Sequence, residues 1–289
     1  MSAHAWMPVS PCGDGCLPTT LPSASVARRS LRWVAVLAAV LASPALVLVR
    51  VLPRRRKAAV VRIGARTLLR ALGIRLVSTG SPDGPGGPDE SGGELVVAGH
   101  VSWVDVLVLA AVTPAAFVAR GDLLEWRLLG TVARRMRVIP LDRERLRALP
   151  GVVAEVTERL RDGDRIVVFP EGTTWCGRAY GSFRPAMFQA AIDAGRPVRP
   201  IGLRYELGDG TLTTGPCFVG DETIGQSIAR MVRLRDIRAR VRVEPLEHPG
   251  LCRRELAGRC AQAVRGGSID LAAHDILDPS IEVVGAEAA

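Results

Sequence analysis

Residues 94–112, ELVVAGHVSWVDVLVLAAV, constrain the fold more than any other stretch of this chain. Leu95-Val96-Val97-Ala98 reads as a strand buried on both faces. An apolar run beginning near Ser102 reads as a buried helix, and only a short turn at Gly99-His100 separates the two. Such a strand–turn–helix belongs to the interior of a layered α/β domain. The turn at the C-terminal end of the strand is where sites form in open α/β sheets. His100, the imidazole of this stretch, sits on that turn, and the carboxylate of Asp105 follows one turn into the helix.

From residue 94 the pattern repeats. Strands are expected over residues 94–98, 115–119, 137–141, 165–169, 198–205 and 240–244, with helices over 102–112, 122–135, 144–161, 184–194 and 223–233. The alternation predicts an α/β fold with a mixed, largely parallel sheet flanked by helices, occupying residues 94–250. Its 289 residues hold one such domain plus accessory segments. A C-terminal helix and tail are expected over 251–289.

The N-terminal third has a different character. Residues 1–27 are rich in Pro, Gly, Ser and Cys and read as a disordered leader. Residues 28–77 read as a hydrophobic and basic membrane-anchoring helical segment. Within it, residues 33–49 carry no charge; as a helix they would extend roughly 26 Å, slightly short of a hydrocarbon core of about 30 Å. Arg28, Arg29 and Arg32 precede this run, while Arg50, Arg54, Arg55, Arg56 and Lys57 follow it. The denser cluster on the C-terminal side predicts a cell-membrane protein whose main domain faces the cytoplasm. A span and a helix lying in one leaflet both satisfy the pattern, and an export signal is a third reading that lacks a cleavage site. Residues 78–93 form a flexible Gly/Pro loop.

The net charge of +9 favours anionic partners such as lipid headgroups, phosphorylated substrates or nucleic acid. Nucleic acid is disfavoured, because Tyr and Phe are scarce and the arginines dispersed. The six cysteines make no CxxC pair; they read as reduced packing residues, and Cys12-Gly-Asp-Gly-Cys16 as leader composition rather than a metal site.

Three strand ends carry polar residues. His100 and Asp105 follow the first, and Ser102-x-x-Asp105 has the form of a capping box, so a purely structural reading of that pair stands beside a catalytic one. Asp142-Arg143 follows residues 137–141, and arginine suits bidentate phosphate binding. Pro170-Glu171-Gly172-Thr173 follows residues 165–169, with a carboxylate and possible donors to an anionic group, or else an ordinary turn.

In order and spacing these blocks resemble the glycerolipid acyltransferase family, that of the bacterial 1-acylglycerol-3-phosphate acyltransferases. The first block is His100-Val-Ser-Trp-Val-Asp105 and the second Val138-Ile-Pro-Leu-Asp-Arg143. The third is Phe169-Pro-Glu-Gly-Thr173 and the fourth Val198-Arg-Pro-Ile201. The resemblance covers residues 60 to 250. It implies a membrane-associated O-acyltransferase of phospholipid biosynthesis, moving a fatty acyl group from acyl-CoA or acyl carrier protein to the hydroxyl of a lysophospholipid. His100 would be the general base and Asp105 its orienter; Arg143, Glu171, Gly172 and Thr173 would bind the acceptor's polar head. It implies no metal or redox cofactor, and membrane lipids as partners. Gly99, Pro140 and Thr174 depart from residues common in the family, which leaves a lyso-ornithine lipid or a glycolipid intermediate open as acceptor. A reading of another class is a membrane-anchored protein that binds anionic lipid without turnover.

Overall fold

The computed structural model describes residues 8–42, 53–80, 93–124, 130, 134, 137–142 and 145–266. Seven strands form one sheet in the order β1-β7-β6-β2-β5-β3-β4. They are β1 (Ile74–Thr79), β2 (Glu94–Ala98), β3 (Ala116–Arg120), β4 (Ile139–Leu141), β5 (Arg165–Val168), β6 (Val198–Glu206) and β7 (Ile237–Val243). Every neighbouring pair is parallel except β6 and β7. The sheet is therefore mixed and mostly parallel, as the alternation of elements predicts.

Seven described α-helices accompany it: α1 (Val26–Ala42), α2 (Arg54–Ala71), α3 (Val104–Val112), α4 (Leu149–Arg161), α5 (Phe188–Ala194), α6 (Ile224–Arg233) and α7 (Arg253–Arg265). The pleat divides β2 between two cores. Val96 and Ala98 join Leu69 of α2, Val108 and Leu109 of α3 and Met231 of α6. Leu95 and Val97 join Val156 and Leu160 of α4, Phe188 of α5 and Leu256 of α7. All five residues of β2 are buried, as a central strand with helices over both faces requires.

Glu94 opens that strand with a fully buried carboxylate. It faces Arg165 across the β2–β5 ladder, with the guanidinium 2.5 Å away, and Arg199 of β6 approaches from the other side at 3.4 Å. Three neighbouring strands are thereby tied at one end by a charge that burial would otherwise penalise.

Several expectations need correction. Residues 8–25 are not a disordered leader but lie against the domain. Cys12 and Ala24 are buried, Ala24 N–H donates to the Arg233 carbonyl, Arg235 N–H donates to that of Pro22, and the Thr214 hydroxyl donates to that of Cys16. The segment shows no hydrophobic periodicity because backbone hydrogen bonds fasten it, not an amphipathic stripe. The expected helix over 184–194 is confined to α5, and the strand expected at 240–244 begins three residues earlier in β7. The expected helix over 144–161 starts at Leu149 after a short 3-10 turn (Leu146–Ala148). Most of the helix expected over 122–135, and residues 81–92 of the expected loop, lie outside the described residues.

The apolar run over 33–49 is described only to residue 42, within α1. Among the described residues no helix is long and apolar enough to cross a membrane.

Removing the carboxylate in Glu94→Ala would leave the buried Arg199 without its counter-charge. The expected loss is about 3–5 kcal/mol of stability, read from denaturant unfolding in detergent. A Glu94→Leu/Arg199→Leu pair should lose much less, because no charge is then stranded.

Candidate active site

Parallel pairing fixes where the polar turns meet. Val97 of β2 stands beside Val168 of β5, so Gly99-His100 and Phe169-Pro170-Glu171 leave the sheet side by side. On the other flank Ala98 pairs with Ile201, and β6 runs on to Glu206. That overrun carries Tyr205 past the end of β2 to the first turn of α3.

Asp105, fully buried, gathers four donors. Its Oδ2 accepts from the backbone N–H of Val101 at 2.7 Å and of Ser102 at 2.8 Å, and lies 3.0 Å from His100 Nδ1. Its Oδ1 accepts from the Tyr205 hydroxyl at 2.7 Å. With both oxygens accepting, the carboxylate is held as an ion would be. It also fixes His100 Nδ1 as the donor, which leaves Nε2 as the basic nitrogen. The imidazole stacks on Phe169 with centroids 4.0 Å apart, and its side chain is 16% exposed, enough for one substrate group to reach it.

One arm of the expected capping box is present. Asp105 accepts from Ser102 N–H, while Ser102 Oγ accepts from Val104 N–H at 3.3 Å. The same carboxylate therefore caps a helix and orients an imidazole. Ser102 itself is fully buried, which removes it as a nucleophile.

Glu171 lies elsewhere than expected of a headgroup ligand. It is 3% exposed, and its Oε2 accepts from His100 N–H at 2.8 Å. It braces the His100 turn from beneath, while its buried Oε1 has no hydrogen-bond partner among the described residues. Gly172 closes the turn by donating to the Phe169 carbonyl at 3.0 Å. Its φ of +77° favours glycine, and a Cβ there would stand 2.9 Å from Pro8 Cβ. Thr173 is partly exposed beside it. Arg143 lies outside the described residues. Arg184, whose Nε would be 3.6 Å from a Cβ at Gly172, brings a guanidinium to the same turn.

Sequence reasoning passed over Tyr205, Phe169 and Arg184. Tyr205 is one of two tyrosines in the chain, and a strand tyrosine, whose hydroxyl needs a partner once buried, is the signal that could have marked it. Cys12 and Cys16 also lie beside this region, where they meet Cys176.

Burial pushes the Glu171 carboxyl up from 4.5 to about 8, against the opposing His100 N–H and Arg265. The folded chain thus keeps a proton that the unfolded chain has already released. The stability from this group is complete below about pH 4.5 and is lost as pH rises through about 8. Glu171→Gln should flatten that decline, read as the difference in unfolding midpoint between variant and parent across the window.

The family model described as Acyltransferase matches residues 84–204. The 1-acyl-sn-glycerol-3-phosphate acyltransferase of Neisseria meningitidis serogroup B is 33% identical over 189 residues, 65% of this chain and 71% of that protein. The lyso-ornithine lipid O-acyltransferase of Pseudomonas aeruginosa is 33% identical over 178 residues, 59% of this chain and 66% of that one. In fold, the chain resembles the crystal structure of the 1-acyl-sn-glycerophosphate acyltransferase PlsC from Thermotoga maritima. The TM-score is 0.63 with 17% identity, over 84% of this chain and 94% of that one. The chain is therefore an acyltransferase and belongs to the glycerolipid acyltransferase family, that of the 1-acyl-sn-glycerol-3-phosphate acyltransferases.

Proposed function

We propose that this acyltransferase moves a fatty acyl group from the thioester of acyl-CoA or acyl carrier protein to the free hydroxyl of a 1-acylglycerol-3-phosphate-type lysophospholipid. The observation that carries the reading is the His100–Asp105 pair, with Asp105 fixed by Tyr205 and two backbone N–H groups. His100 Nε2 takes the acceptor's hydroxyl proton as its oxygen attacks the thioester carbonyl. The tetrahedral intermediate collapses, the C–S bond breaks, and the thiolate takes the proton from the imidazolium. Asp105 stabilises the imidazolium between the two steps. Glu171 holds the His100 turn in place and acts through it. Arg143, Arg184, Gly172 and Thr173 bind the acceptor's polar head.

A second reading, a lyso-ornithine lipid acceptor, is favoured by the similarity to the Pseudomonas aeruginosa protein. A transfer assay with labelled thioester donors and a panel of lysolipids separates the two. His100→Ala should lower kcat by about 10²–10⁴-fold. Asp105→Asn should cost at least about 10²-fold by disturbing the tautomer. Turnover of both variants at the parent rate would end the catalytic assignment.

The site works at a cell membrane, with the domain on the cytoplasmic side. Val26, Trp33, Val34, Leu37 and Leu41 of α1 are all exposed. Their spacing puts them on one face, with Arg32 on the other side donating to the Val232 and Leu234 carbonyls. Such a helix lies in the plane of the interface. Leu37→Glu/Leu41→Glu should lower binding to anionic vesicles by about tenfold or more, with the unfolding midpoint unchanged.

A further inference from the structure

Three of the six cysteines, expected to be packing residues, meet in space. The sulfurs of Cys12, Cys16 and Cys176 lie within 4.8 Å of one another, though the third is some 160 positions from the first two. Cys12 and Cys176 are buried and Cys16 is partly so. Cys16 ends a single 3-10 turn (Asp14–Cys16) that begins two residues after Cys12 and is closed by Cys16 N–H donating to the Gly13 carbonyl at 2.9 Å. Cys176 N–H donates to Cys12 Sγ at 3.3 Å, which places the two cysteines in direct contact.

We propose that Cys12, Cys16 and Cys176 bind one zinc ion as thiolates, fastening the N-terminal segment to the loops around the active site. The C-x3-C spacing falls within the range used by structural zinc sites. A tetrahedral zinc with bonds of about 2.3 Å needs sulfurs about 3.8 Å apart, so each pair has to close by at most about 1 Å. Three soft thiolates select zinc over calcium or magnesium, which take oxygen. Each thiol gives up its proton on binding, and water takes the fourth vertex. A disulfide would join only two of these sulfurs and strand the third.

The packing around the cluster says why a staple is needed. Of residues 8–17, Cys12 alone is buried. One buried side chain, the partial packing of Cys16 and Leu17 and a few hydrogen bonds offer little against the entropy of ordering such a segment. Yet the segment keeps close company with the site. Pro8 crowds Gly172, and a Cβ at Gly220 would meet Asp14 Oδ1 at 3.2 Å. Thr214 links Cys16 to the same loops by donating to its carbonyl at 2.7 Å. Cys176 follows Trp175, whose N–H donates to the His100 carbonyl at 2.7 Å. A metal at the cluster therefore holds one end of the strut that carries the catalytic turn.

The test uses the full chain, purified in detergent with a phosphine reductant and no chelator. Elemental analysis should find about one zinc per chain. Cys16→Ser and Cys176→Ser should lose about tenfold or more of the bound metal, while Cys252→Ser retains it. Because a serine variant can misfold, Cys16→His provides a second arm: it should keep the metal and alter the cobalt spectrum. Cobalt reconstitution of the parent should give thiolate-to-metal charge-transfer bands and ligand-field bands of four-coordinate intensity. The proposal is overturned if the parent, loaded with equimolar zinc and desalted, retains less than about a tenth of an ion per chain. It is equally overturned if intact mass shows the chain still two hydrogens light after phosphine treatment, through a Cys12–Cys176 disulfide.

Discussion

The buried carboxylate of Asp105 is the point through which the domain and its site depend on each other. An ion in the interior is tolerated only when its oxygens are well supplied with donors. Here the donors come from three places at once: the turn after β2, the imidazole on that turn, and the hydroxyl of Tyr205 on β6. The Tyr205 hydroxyl would not reach the other two without the parallel β2–β6 pairing and the overrun of β6 beyond Ala98. The register of the central strands is thus written into the geometry of a single side chain. Loss of any donor would be felt both as strain in the turn and as a misaimed imidazole.

Glu171 introduces a second carboxyl beneath the same turn, and two negative charges there would repel. The structure resolves this by environment. Burial, with a smaller push from Asp105, holds Glu171 in its neutral form at moderate pH while it still accepts from His100 N–H. Asp105 is left as the one negative charge set against the imidazole. A pair of acids separated by their surroundings into a charged orienter and a neutral brace is an arrangement that base catalysis exploits. The brace also explains why β2 and β5 have to be neighbours, since the carboxyl reaches His100 only from the adjacent strand end.

How far the sequence discloses this depends on the kind of signal. β2 is legible to the residue because burial on both faces produces an uninterrupted apolar run. The meeting of His100 and Asp105 is legible because their spacing places both at one strand end, whereas their catalytic reading came from the resemblance carried by more distant blocks. Tyr205 is not, because its partner is 100 positions away and only β6 pairing brings it there. Glu171 was readable as important but not as buried, since a Pro-Glu-Gly turn looks the same whether its carboxylate points to solvent or under a neighbouring loop. The segment over 8–25 was misread for a related reason: low periodicity signals disorder only when nothing else fastens the backbone. The same limit hid the meeting of Cys12 and Cys16 with Cys176.

An acyl-transfer site has to favour one hydroxyl over the water around it. On the proposed chemistry the imidazole would serve water as readily as a lipid, so selectivity rests on access. His100 is stacked against Phe169 and exposed over a small fraction of its surface. The loops at Gly172 and Gly220 are approached by residues 8–14, and the strut from Trp175 ends on the His100 carbonyl. The cover is therefore built from parts far apart in the chain, while the proposed reacting pair comes from six consecutive residues. Chemistry in this protein is local, and protection of that chemistry is a property of the whole fold.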